Sequence, residues 1–166
     1  NLAQVYKNMI GVSDDAAQWA VQSYIAAIKA DPNNPLLRIE LAKIFVDQEN
    51  YQQAISILSQ AISLKPNLAA SHYNLALILE KLDQPNAYRE ARISYQRTLV
   101  LLDSSSEEYI LVNKKIEEIE FTMKEKGISI ELEQQEQALD KSTENKEQDP
   151  AADKNEVPSI TEQNLD

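Results

Sequence analysis

The chain writes one helix ending twice. Ala20, Tyr24, Ala27 and Pro32 return 34 residues later as Ala54, Leu58, Ala61 and Pro66. After a further 37 residues the same positions hold Ala91, Tyr95, Thr98 and Asp103. A second set, Leu41, Ala42 and Phe45, recurs at the 34-residue interval as Leu75, Ala76 and Leu79. Such a period marks a stacked-repeat architecture, in which each unit buries its apolar face only against its neighbours. Within one unit, Leu37, Leu41, Ile44 and Phe45 recur at helical spacing, and so do Ala54, Ile57, Leu58, Ala61 and Ile62. The polar run DQEN between them is a turn, so the unit is a pair of antiparallel helices. Lys65-Pro66 stops the second helix, because proline has no amide hydrogen and moves the preceding residue away from helical dihedrals. Small residues at Ala42, Ala54 and Ala61 let the helix axes approach closely.

Composition agrees with an all-α chain: there are only 2 glycines in 166 residues, too few for the tight turns of a sandwich or a doubly wound sheet. Cysteine is absent and His72 is the single histidine, which excludes disulfides, thiolate metal sites and a histidine cluster. Gly11 and Gly127 cannot form a phosphate-cradling loop. No acidic run has calcium-loop spacing. Glu107-Glu108 and Glu117-Glu118 are adjacent carboxylates, which point in different directions on a helix. His72 has no nucleophile in a recognisable motif and is read as a packing residue. Trp19 is read as packing on an adjacent helix or on a segment upstream. The chain is therefore expected to be no enzyme and to need no cofactor and no metal.

The formal net charge is −11, but it is uneven: residues 1–104 hold 10 acidic and 9 basic side chains, whereas 127–166 hold 11 and 3. With no basic stripe, nucleic-acid binding has no electrostatic footprint. The longest apolar run, LALIL at 75–79, is far short of the roughly 20 residues of a membrane span, so this segment is not expected to insert into a membrane.

The 34-residue period, with its pattern of small, aromatic and proline positions, resembles the tetratricopeptide (TPR) repeat family. Residues 35–68 fit best, with Leu41-Ala42, Phe45, Tyr51, Ala54, Leu58, Ala61 and Pro66; Arg38 and His72 stand where the family has tryptophan. The resemblance implies a right-handed solenoid of helical hairpins. Its expected units are a partial repeat at 1–34, with Leu2, Ala3 and Tyr6 from its first helix, and full repeats at 35–68 and 69–104. The last is three residues longer, an excess read as a lengthened turn broken by Pro85. A capping helix at 105–126 is expected, opened by Ser105 and Glu108 in capping-box spacing, with Tyr109, Val112, Ile116, Ile119 and Met123 as its apolar stripe. That stripe covers the last repeat or serves as a contact surface itself. A disordered acidic tail at 127–166 follows, too polar to offset the entropy of ordering.

By the same resemblance, first helices line a concave groove that holds peptides. Its candidate wall is Leu36, Ile39, Glu40, Lys43 and Asp47 in one repeat, and Ala70, Tyr73, Asn74, Leu77 and Lys81 in the next. Asn74 has an amide able to clamp a peptide backbone. Co-chaperone members hold a partner's C-terminal carboxylates with lysine, asparagine and arginine. Glu40 stands at one of those places and would repel such a ligand, so that sub-function is not expected here. Two readings stay open. One is a protein-interaction module binding a peptide or helix of a partner. The other is a docking appendage of a larger bacterial protein, because AAQWAVQSYIAAIKADPNNPLLR resembles repeat regions of membrane-embedded glycan-polymerising and ligating proteins, and the NLAQVYK start reads as a cut inside a longer chain.

Overall fold

The computed structural model describes residues 2–8 and 15–129. Among these residues seven helices succeed one another: α1 (Leu2–Asn8), α2 (Ala16–Ala30), α3 (Pro35–Asp47), α4 (Tyr51–Leu64), α5 (Ala69–Lys81), α6 (Pro85–Leu101) and α7 (Glu107–Glu125). Each packs on the next, and α3 also meets α5, so the first helices of successive hairpins adjoin.

The repeated ending is a repeated geometry. Asp31, before Pro32, has φ −134° and ψ 78°. Lys65, before Pro66, has φ −143° and ψ 83°. Each leaves the helical region while its amide still donates to the carbonyl four residues back, Ala27 and Ala61 respectively. The chain then passes to the next helix, which Pro35 opens at its first position behind an Asn34 cap accepting from the Leu36 amide. Arg38 and His72 do equivalent work here. The Arg38 guanidinium donates to the Pro32 carbonyl at 2.8 Å. The His72 Nε2 lies 2.8 Å from the Pro66 carbonyl, which can only accept, so that nitrogen carries the hydrogen. His72 is buried. It ties a helix start to the preceding loop.

The core forms two adjoining clusters. One gathers Ala20, Tyr24, Leu41, Ala42, Ala54, Leu58 and Ala61 with Ala3 of α1. The other gathers Ala76, Leu79, Ala91 and Tyr95 with Val112, Ile119 and Met123 of α7. Ile55 and Leu75 pack against both. The stripe on α7 is thus covered by the last hairpin. Tyr6 and Trp19 meet with ring centroids 5.6 Å apart, so Trp19 packs on α1.

Three expectations are corrected. The turn between α5 and α6 is three residues, Leu82 to Gln84, as is the turn Gln48 to Asn50. The three extra residues instead lengthen α6 to 17 residues against 14 in α4. Pro85 starts that helix, where a missing amide hydrogen costs nothing. The added turn buries Ala87 and Tyr88. It also receives the end of α7: the Tyr88 hydroxyl and the Lys126 ammonium both donate to Asp83 at 2.7 Å. At the other end of α7, the cap is Ser106, which accepts from the Tyr109 amide at 3.1 Å. Ser105 is occupied instead, donating through both its amide and its hydroxyl to Asp103. Finally, 127–129 belong to the helical body. Gly127 adopts φ +66°, which glycine tolerates, and turns the chain so that the Ile128 amide donates to Met123. Ile128 packs on the core, and the Ser129 carbonyl accepts from Arg89 at 3.0 Å. The rest of the expected disordered tail, 130–166, lies outside the described residues.

Candidate functional site

Because first helices adjoin, their outward faces meet in a cavity of about 480 Å³. From α3 it takes Ile39, Lys43, Val46 and Asp47; from α5, Asn74, Leu77, Ile78, Glu80 and Lys81. Leu58 reaches in from α4. The result is an apolar floor ringed by charge.

Six of the ten candidate groove residues in the two repeats stand in this wall: Ile39, Lys43, Asp47, Asn74, Leu77 and Lys81. Glu40 lies beside it, bonded to Lys43 at 2.7 Å and to Lys7. Leu36 stands apart. It is 56 % exposed and lines a shallow hollow with loop residues Asp31, Asn33 and Lys65. Tyr73 and Ala70 line another space, an apolar hollow of about 220 Å³ between α5, α6 and α7, walled also by Thr98, Leu102, Leu111 and Val112. The Tyr73 ring sits 5.8 Å from that of Tyr95. Asn74 is partly committed: its Nδ2 donates one hydrogen to the Ala70 carbonyl at 2.7 Å, which leaves Oδ1 as an acceptor and the second N–H as a donor for a ligand.

Two groove lysines were not among the candidates. Lys7 comes from α1 and Lys115 from α7, the partial repeat and the cap. Carrying the first-helix register beyond the two well-patterned repeats would have reached them. Lys115 donates to Glu118 at 2.8 Å, and that bond holds its ammonium pKa above the usual value. Glu80, from α5, accepts from the Tyr95 hydroxyl at 2.7 Å. Burial, then this bond to a carboxylate, pushes the phenol well above its ordinary pKa, so it remains a donor.

Glu40 is not a bare repulsive carboxylate in the structure, because Lys43 and Lys7 both donate to it. Burial raises its pKa, but hydrogen bonds from Lys43 and Lys7 outweigh burial and leave it below the ordinary value. A carboxyl depressed by folding stabilises the fold above its unfolded pKa, and that contribution is lost as pH falls through the folded value. Since Lys7 belongs to α1, the loss loosens α1. Urea unfolding from neutral to acid pH is expected to show a steeper decline for the wild type than for Glu40→Gln, which cannot titrate. Parallel curves would remove this role.

Among the described residues no cluster of acidic or histidine side chains is placed to hold a metal. Among the same residues no helix is long and apolar enough to cross a membrane.

Stacked helical hairpins with a mixed apolar and charged groove define a class of α-solenoid. A family model described as TPR repeat matches residues 42–83. The first TPR of Spaghetti (RPAP3), in a structure bound to the HSP90 peptide SRMEEVD, is 19 % identical, with a TM-score of 0.58 over 74 % of this chain and 90 % of that one. The first TPR domain of human RPAP3 is 20 % identical, with a TM-score of 0.62 over 77 % and 94 %. The Sgt2 TPR domain from Aspergillus fumigatus is 15 % identical, with a TM-score of 0.62 over 78 % and 82 %. No curated protein matches the chain. Residues 42–83 thus match a tetratricopeptide repeat, and the chain has the fold of the TPR domains it resembles.

Proposed function

We propose that the chain is a non-catalytic protein-interaction module, holding an extended peptide or a helix of a partner in the groove between α3 and α5. The observation that carries this reading is the cavity of about 480 Å³, open between two helices. Its apolar floor of Ile39, Leu77 and Ile78 suits side-chain anchors, and its rim of both charges suits a peptide's polar groups. A similar structure holds a peptide, which supports the reading by analogy. Here the Leu77 side chain lies in the floor, and Lys81 follows it one helical turn on in the same lining.

The test is a peptide library screened on the full chain, with the best binder titrated against variants. Leu77→Asp is expected to weaken that peptide by at least about tenfold, the equivalent of ~1.4 kcal/mol, because it places a charge where the anchor would be desolvated. Helicity by circular dichroism should stay unchanged, since Leu77 is only half-buried. Equal affinity in wild type and Leu77→Asp would remove the groove as the site.

A further inference from the structure

The outer face of α7 is not what a solenoid cap should show. Such caps turn a polar side to water. Here Ile110 and Phe121 are 67 % and 66 % exposed. They stand eleven residues apart, which brings them back to one side of the helix. That side is diametrically opposite the stripe of Val112, Ile119 and Met123 that packs on α6.

Reading along this outer face gives Glu107, Ile110, Lys114, Glu117, Phe121 and Lys124, in steps of three and four residues. All six are exposed. Their order is self-complementary. Turn a second copy of the helix around a two-fold axis between positions 115 and 116, and the two helices run antiparallel. Ile110 then faces the partner's Phe121. Lys114 faces the partner's Glu117, and Glu107 faces the partner's Lys124. Each pairing occurs twice, as an isologous contact requires. A parallel pairing in register would instead set glutamate on glutamate and lysine on lysine, which repels.

We propose that this face of α7 is a homodimer interface, its occupant a second copy of the same helix in antiparallel orientation. The contacts within the chain do not compete strongly. Lys114 lies 3.9 Å from Glu118, and Glu117 accepts from Asn113 at 3.3 Å. Both are exposed pairs four residues apart, of the kind worth a few tenths of a kcal/mol. The interface uses none of the residues that line the groove, so a dimer would present two grooves to its partners. A contact confined to one helix face is small beside the roughly 800 Å² per partner of a standard interface. The dimer therefore forms and dissociates over the micromolar to millimolar range.

The experiment is sedimentation equilibrium of the full chain across that range, at physiological ionic strength, where its net charge of −11 is screened. Wild type is expected to shift from monomer to dimer with concentration, and Phe121→Ser to remain monomeric at unchanged helicity. The orientation is tested by charge exchange. Lys114→Glu and Glu117→Lys should each be monomeric alone, since each places like charges across the axis. Mixed in equal amounts, they should form a heterodimer, because glutamates of one chain then meet lysines of the other. A wild type monomeric at every concentration would overturn the proposal. So would a dimer unaffected by Phe121→Ser, or a mixture of the two charge variants that fails to associate.

Discussion

Tyr95→Ala is expected to destabilise the chain by about 3–5 kcal/mol, the usual cost of emptying a large aromatic site in a core. Tyr95 is among the largest fully buried side chains and sits in the cluster that joins α5, α6 and α7. Its loss removes the packing surface of Tyr73 and the donor of Glu80 together. Against a total stability of roughly 5–15 kcal/mol, such a loss leaves a chain that is barely folded. Tyr95→Phe separates the two contributions. It keeps the ring and removes only the hydroxyl, whose bond is to a charged acceptor and so belongs to the class worth about 1.5–3 kcal/mol. Glu80 lines the open groove and can turn to water, which puts the cost at the lower end. Urea midpoints at unchanged slope measure both, and equal losses for the two variants would refute the division.

The consequence is local before it is global. In a stack of hairpins each unit is held by its neighbours, so damage in one cluster propagates through the shared interface. Here that interface is Ile55 and Leu75, the residues packed against both clusters. Amides of α5 to α7 should exchange faster in Tyr95→Ala than those of α3 and α4.

What could be read from the sequence was what repeats. Ala20, Ala54 and Ala91 align by eye, and all three are fully buried. The proline endings also announce themselves, because the restriction they impose acts on the chain next to them. The longer third unit was harder, because three extra residues fit a turn or a helix equally well by counting. The helix bounds show that α6 took them, and Tyr88 and Lys126 then meet at Asp83. Groove candidates divided on similar lines. A helical wheel gives the direction of a side chain but not what stands in that direction. It pointed Tyr73 and Leu77 to one face, yet α7 closes over Tyr73 and leaves Leu77 in the open cavity. Lys7 and Lys115 belong to helices whose repeat pattern is worn, so no internal alignment carried the groove register to them.

Tyr24, Leu58 and Tyr95 occupy one position of the repeat, and the middle one yields the second large effect. Leu58→Ala is expected to cost about 2–5 kcal/mol, since Leu58 is fully buried between the helices that frame the groove. Restoring the tyrosine of its neighbours should also fail. In the other two hairpins the hydroxyl has a partner on the first helix of its own pair: Gln4 for Tyr24 at 3.1 Å, Glu80 for Tyr95 at 2.7 Å. The counterpart of Glu80 one repeat earlier is Val46, which accepts nothing through its side chain. Leu58→Tyr would bury a hydroxyl without a partner and is expected to lose about 1–3 kcal/mol despite matching the repeat pattern. Adding Val46→Glu supplies the acceptor at the corresponding place, so the double variant should be more stable than the two single losses predict. Urea unfolding of the four chains in this cycle measures the coupling between the two positions. A coupling near zero would mean that residues 46 and 58 respond to their surroundings independently, and that the tyrosine hydroxyls are not what links the helices of a hairpin.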